Sequence, residues 1–391
     1  MRHIVYITTS MDESDFKEYI GHWSVSLNPS NQNFHNKLIR SLAISNNIDV
    51  ISIRPFSSKF CDYPYLEKGV RKQGNITWHY VGIHHNKILN LHVVQSQIKK
   101  IIKNVVNDGD FIFCDTINMG VVHFTKYCLK HIKKDVKFIG VVTDSPSNIS
   151  GVGRSYTKYV LSNCRKYDGY LALTNELNEL YNPKAKPNLI IEGLVEDRDV
   201  SAPFDTDVKY FFFGGALLPR YGIYELIKAF NEFHKDFEDY YLIIAGHHAN
   251  KDQLMKAING NTNIRFLNMI PVSEVLMYES SAVANINPRP FSEDLDRYSI
   301  PSKTIEYLVS GRPTISVKNS KLAKYFLEEI VWAKSSSSED LKEAMVKVAT
   351  ADEEVKENYG KLGKEKALNY FSLKAINNRV DNELLAAFFK K

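Results

Sequence analysis

Three residues in the stretch YSIPSKTIEYLVSGRPTIS, residues 298–316, have types and spacing that can do chemistry. Lys303, Glu306 and Tyr307 stand at i, i+3 and i+4, so on a helix they share one face. Pro301 suits a first helical turn with Ser299 or Ser302 as its cap; Gly311 stands at a C′ position and Pro313 bars continuation. A lysine beside the unsatisfied N–H groups of a helix start makes an anion site. Glu306 is a poor phosphate contact, but a carboxylate accepts well from two vicinal hydroxyls, as on a ribose. Phosphate plus ribose describes a nucleotide. Read alone, the pair also fits a solvated Lys–Glu contact worth ~0.3–0.5 kcal/mol.

A second stretch, FFFGGALLPRYGIYELIKAF at 211–230, runs an apolar strand into Gly214 and Gly215 and starts a helix after Gly222. Glycines at a strand end allow close backbone approach, and the following helix start offers N–H groups to an anion. The spacing is neither the GxGxxG of a nicotinamide site nor a Walker A loop. Arg220 is the cation within that loop and has the reach for a phosphate.

The elements that must position these residues alternate along the whole chain. Strand-length apolar runs (HIVYIT, DVISI, FIFC, KFIGVVT, GYLALT) lie near helical patterns, and the plan repeats after the polar run EDRDVSAPFDTDVKY, 196–210. Buried strands with crossover helices predict parallel, doubly wound sheets, and two such sets predict two Rossmann-like domains. The expected division is 1–199, 200–370, and a C-terminal helix at 371–391 that packs back on the first domain.

The chain has 391 residues, 44% hydrophobic and 24% charged, a globular composition. No apolar stretch is long enough to span a bilayer, and the opening MRHIVYITTS fits a buried strand rather than a secretory leader. Cys61, Cys114, Cys128 and Cys164 lack CxxC spacing, so neither zinc nor a disulfide framework is indicated, and the cytoplasm is the expected compartment. About 25 Lys and Arg against about 19 Asp and Glu fall in residues 1–199, making the first half the basic one. No nucleic-acid signature accompanies that charge. His84, His85, His247 and His248 form pairs without ligand spacing. The segment 18–37 reads as a polar loop whose His22, Trp23, Asn31 and His35 are candidate acceptor contacts.

The 298–316 stretch resembles the donor-site signature of retaining GT-B glycosyltransferases, family 4-like enzymes of bacterial polysaccharide and exopolysaccharide biosynthesis. INPRPFSEDLDRYSIPSK is similar to the Asn-Pro-Arg loop preceding that signature. GGALLPRYGIYELIKAF resembles its Gly-Gly loop and helix; VVTDSPSNIS and LALTNELNELYNPKAKPNLIIEGLVED resemble first-domain strand ends. The likeness covers much of residues 110–317. It implies an α/β, GT-B fold with two Rossmann-like doubly wound domains facing across a cleft. It further implies transfer of a hexose-type sugar from a nucleotide-diphosphate sugar to a hydroxyl of a glycan or lipid-linked acceptor, with retention and without a metal or other cofactor.

By the resemblance, Glu306 would hold the ribose, and Lys303 with Arg220 the diphosphate. Gly214, Gly215 and Ser302 would line the donor; Asn287, Arg289 and Tyr298 would stand near the transferred sugar, and Asp144 on the acceptor side. The broader family has a glutamate where this chain has Tyr298, an arginine at Ala216 and a lysine at Tyr221. DLD at 294–296 mimics a metal-binding DxD motif, but its place before this helix favours coincidence. Two other readings stand beside transfer: an epimerase or hydrolase on the same scaffold, and a silent nucleotide-sugar-binding subunit. The basic first half suits peripheral contact with the inner face of a membrane.

Overall fold

A computed structural model describes all residues except 25–28, 58, 64, 85, 150, 198–207, 249 and 390–391. It divides into two compact units, Met1–Leu194 with Leu373–Lys391, and Val195–Ser372. His85 and most of the run 196–210 lie outside the described residues.

The first unit holds β1 (Arg2–Thr8), β2 (Asn46–Ser52), β3 (Gly69–Gln73), β4 (Ile76–Tyr80), β5 (Phe111–Asp115), β6 (Lys137–Val142), β7 (Gly169–Ala172) and β8 (Asn188–Ile190). Their order is β3-β4-β2-β1-β5-β6-β7-β8, parallel except where β3 pairs with β4. The second holds β9 (Lys209–Gly214), β10 (Tyr240–Ala245), β11 (Ile264–Phe266), β12 (Ala284–Asn287), β13 (Thr314–Val317) and β14 (Val331–Ala333). Its order is β11-β10-β9-β12-β13-β14 with parallel pairing throughout. Both sheets are doubly wound. Such sheets bind ligands beyond the strand carboxyl ends where the winding reverses, at β1/β5 in one and β9/β12 in the other.

Burial on both faces explains the unbroken apolar runs. In β9, Phe211 and Phe213 enter a core shared with Leu226, Phe230 and Phe233 of the helix Ile223–His234. Tyr210 and Phe212 point to the other face, among Ile243, Ala245 and Tyr278. Among the strands that sequence reading misses, β3, GVRKQ, is exposed along its length and carries no apolar signal. Charge on such an edge discourages pairing with other chains.

The segment 18–37 is not one polar loop. Asp12 caps a helix Glu13–Ile20 by accepting from Ser14 N, and another helix runs Pro29–Leu42. Residues 373–389 are bound into the first unit: Ser41 Oγ donates to the Leu373 carbonyl at 2.6 Å and Arg379 to that of Ile190 at 2.8 Å. Phe388 packs edge-on to Phe111, with ring centroids 5.6 Å apart.

A charge ladder crosses the first sheet. His3 Nδ1 is 2.8 Å from Asp110 and Nε2 is 2.8 Å from Asp49, whose other oxygen is 2.5 Å from His79 Nε2. Two carboxylate partners require both His3 nitrogens to carry protons. The Asp49 hydrogen bond, working against burial and aided by Asp110, raises the His3 pKa from 6.5 to about 9. Burial opposes ionisation of Asp49, but the two histidines prevail and lower it to about 2. The His3 contribution to stability is therefore complete below pH 6.5 and lost as pH rises through about 9. That of Asp49 holds above pH 3.8 and disappears as pH falls through about 2. His3→Gln is expected to lower the melting temperature most at pH 6, with the deficit vanishing towards about pH 10. Melting curves across that range check this, and a pH-independent deficit would contradict it.

Candidate functional site

The helix Ser302–Val309 starts beside the carboxyl ends of the second sheet. Its buried face, with Ile305, Leu308 and Val309, packs against Phe326 and Phe371. Pro301 occupies the N-cap and no side chain caps the helix. The expected cap from Ser299 or Ser302 is not made: Ser299 Oγ accepts from Arg289 at 2.8 Å, and Ser302 is exposed at the first helical position. At the other end Gly311 takes φ of 74°, as a C′ glycine does.

The fully buried hydroxyl of Tyr307 fixes this helix to the strand end. It accepts from Gly214 N at 2.9 Å and donates to the Gly214 carbonyl at 3.1 Å. The side chain thus takes over both hydrogen bonds of a backbone that has run past its partners on β12, though Gly214 still pairs with Ala245 on β10. A Cβ on Gly214 would come 2.9 Å from the Phe212 ring, whereas one on Gly215 would meet Phe213 at 3.8 Å and Lys303 Cε at 4.0 Å, ordinary contacts. The glycine that sequence reading misses is Gly246, after β10: a Cβ there would sit 1.7 Å from the Gly215 carbonyl oxygen. Gly222 has φ of 82° and presses on the Pro288 carbonyl, which a Cβ would approach to 2.2 Å. These contacts bring the turns after β9, β10 and β12 together.

Over this floor lies a group of charges. Lys303 Nζ is 2.8 Å from Glu306 Oε2 and 3.9 Å from Glu279 Oε1. Lys303 and Glu306 remain 37% and 22% exposed, while Glu279 is 2% exposed. Burial works against the lysine charge, but Glu306 and Glu279 outweigh it and hold the ammonium pKa above the ordinary lysine range. Arg220 stands in the turn Pro219–Tyr221, exposed, with its guanidinium 5.0 Å over the Tyr221 ring.

Several expected contacts are instead internal ties. Asn287 Nδ2 donates to Thr304 Oγ1 at 2.8 Å, joining β12 to the helix. Arg289 donates to Asp296 at 2.9 Å as well as to Ser299, and burial lowers its pKa. Asp296 also accepts from Ser292 N at 2.9 Å and from Asn319 at 3.2 Å, so the second carboxylate of DLD holds a loop together. Among the described residues no cluster of His, Cys, Asp or Glu is placed to hold a metal ion. Tyr298, half-buried, carries the Arg297 guanidinium 5.2 Å over its ring. His248, of the second histidine pair, accepts from Asn250 N at 2.9 Å and bonds the Tyr224 hydroxyl at 3.1 Å.

In the first unit the candidates do not form one group. Asn31 Nδ2 lies 3.3 Å from Asp115 and 3.4 Å from Thr9 Oγ1, at the β1/β5 reversal. His35 is fully buried and bonds the Tyr6 hydroxyl at 2.6 Å, so it supports this edge from within instead of meeting an acceptor. Burial lowers its pKa despite Asp115 at 3.6 Å. Asp115, absent from the sequence candidates, is hidden at the end of the apolar run FIFC. His22 and Trp23 pack locally, His22 against Tyr63 with centroids 4.2 Å apart and Trp23 against Tyr19 at 5.8 Å. Asp144, past the end of β6, accepts from Ser145 N at 2.7 Å and Asn148 at 3.3 Å, and burial raises its pKa.

Residues 196–366, most of the second unit, match the family model for glycosyl transferases group 1. Solved structures resemble the whole chain. A sucrose-phosphate synthase from Thermosynechococcus elongatus aligns over 100% of this chain and 99% of its own, with TM-score 0.67 and 13% identity. An alpha,alpha-trehalose 6-phosphate synthase from Burkholderia multivorans covers 100% and 97%, with TM-score 0.65 and 10% identity. An E. coli trehalose-6-phosphate structure bound with UDP-2-fluoro glucose covers 97% and 98%, with TM-score 0.67 and 11% identity. No curated protein matches the sequence significantly. The fold is that of the GT-B glycosyltransferases.

Tyr307→Phe keeps the packed ring but leaves a buried N–H and carbonyl of Gly214 without their partner. A loss of about 1–3 kcal/mol is expected by chemical denaturation, as for an orphaned buried polar group. No loss would show that the strand end finds other partners.

Proposed function

We propose that the protein is a retaining glycosyltransferase. It takes a sugar from a nucleotide-diphosphate sugar and gives it to a hydroxyl of a glycan or lipid-linked acceptor, in surface polysaccharide or glycoconjugate biosynthesis. The observation that carries this reading is the placement of Lys303 and Glu306 on one half-buried helix face, beside the Gly214–Gly215 turn where the second sheet reverses its winding. The family match over the same unit supports it, as does the nucleotide sugar in a structure of the same fold.

In this reading Glu306 accepts from the ribose hydroxyls. Lys303 and Arg220 carry the diphosphate, where negative charge grows as the glycosidic bond to the leaving group breaks. Charge placed there in advance lowers the barrier without reorganisation during the reaction. Side chains and backbone N–H groups supply this stabilisation, with no cofactor required. Retention is proposed because a structural neighbour is described as a model for glycosyltransfer with retention. Same-face attack then lets the departing phosphate take the acceptor proton. Asn31 and Asp144, at strand ends of the first unit, are the proposed acceptor-side contacts. The place of action is the cytoplasm, with peripheral membrane contact where the acceptor is lipid-linked; no helix among the described residues is long and apolar enough to cross a membrane.

Glu306→Ala should weaken binding of the stabilising nucleotide sugar about 10- to 100-fold, the loss of hydrogen bonds to a charged acceptor. Thermal shifts with UDP-, GDP-, ADP- and dTDP-sugars identify the ligand, and titration gives the change. Unaltered affinity would remove the site assignment. Nucleoside diphosphate released only when acceptor is present supports transfer; release without acceptor indicates hydrolysis.

A further inference from the structure

Glu279 plays no part in the function proposed above, yet its position is costly twice over. Its carboxylate is 2% exposed, and burial strongly disfavours an uncompensated charge. It also stands in the last turn of the helix Val272–Ser281, the end at which the peptide dipoles repel negative charge. Lys303 Nζ, 3.9 Å from Glu279 Oε1, is the cation that meets it. The lysine is thus within ion-pair distance of two carboxylates, one buried beneath it and one half-buried beside it.

The two carboxylates differ in what a ligand can do to them. Glu306 is accessible and can be drawn away by hydroxyl groups. Glu279 cannot. Lys303 can therefore exchange its 2.8 Å contact to Glu306 for one to a phosphate while the 3.9 Å ion pair to Glu279 is kept. We propose that Glu279 is a positioning residue for the donor site: it anchors Lys303 and keeps it charged when the ligand's ribose takes Glu306. The consequence is selectivity. In the structure Lys303 and Glu306 occupy one another, and a ligand with both vicinal hydroxyls and a neighbouring diphosphate satisfies both at once. A nucleoside alone meets only the carboxylate.

This proposal rests on the donor-site reading, and the two can fail separately. Wild type and Glu279→Gln are titrated with UDP, GDP, ADP and dTDP and with the corresponding nucleosides, from pH 7 to pH 10. Glu279→Gln should bind the preferred diphosphate about tenfold or more weakly, with unchanged nucleoside affinity. The deficit should grow with pH, because Lys303 loses one of the two carboxylates that hold it protonated. Equal weakening of nucleoside and diphosphate, or no weakening, overturns the proposal and leaves the donor site standing. A wild type that binds none of the four overturns both.

Stability supplies a ligand-free check. Lys303→Met removes the ion pair to Glu279, so Glu279→Gln should lower the melting temperature less in that variant than in the wild type. Equal decreases in both backgrounds would mean that Glu279 acts through something other than Lys303.

Discussion

The geometry of the proposed donor site depends on the two hydrogen bonds that the Tyr307 hydroxyl makes to the backbone of Gly214. A parallel strand that ends in a turn leaves backbone groups beyond its neighbours, and buried groups of that kind must find partners. By supplying both from one side chain, Tyr307 fixes the helix Ser302–Val309 against β9. The charged face of that helix then lies over the glycine turn. The close approach of Gly246 to the Gly215 carbonyl and of Gly222 to Pro288 brings in the ends of β10 and β12. Backbone packing therefore sets where the side chains stand, and the chemistry is placed on top.

The charges above this floor are arranged for exchange. Lys303 and Glu306 satisfy each other without a ligand, which avoids leaving either half-buried ion alone. Arg289, by contrast, is committed to Asp296 and Ser299 and Asn287 to Thr304, so these two shape the loop after β12. Arg220 is exposed and stacked on its neighbour's ring. The site divides into residues that hold the frame and residues whose partners a ligand can replace.

Sequence made the frame easier to read than the contacts. Runs such as YFFFGG announce strands because burial on both faces demands unbroken apolar residues, and their alternation with helical patterns gives the winding of both sheets. The exposed edge strand β3 lacks that signal. Lys303 and Glu306 could be paired because helix geometry joins positions three apart. Glu279 could not, since its link to Lys303 depends on how two helices pack against one sheet. His35 shows the opposite error. Its residue type suggests chemistry, but burial gives it a structural partner, the Tyr6 hydroxyl, that no local pattern displays. The Ser299 cap failed for a similar reason: a guanidinium from a different turn claimed the hydroxyl.

The most direct measurement is a crystal structure with the nucleoside diphosphate that stabilises the protein most. The account predicts the ribose hydroxyls on Glu306, the diphosphate between Lys303 and the Gly214–Gly215 turn, and Glu279 still within ion-pair distance of the lysine. A diphosphate bound away from this helix, or a ribose held by a different carboxylate with the Lys303–Glu306 pair intact, would contradict it.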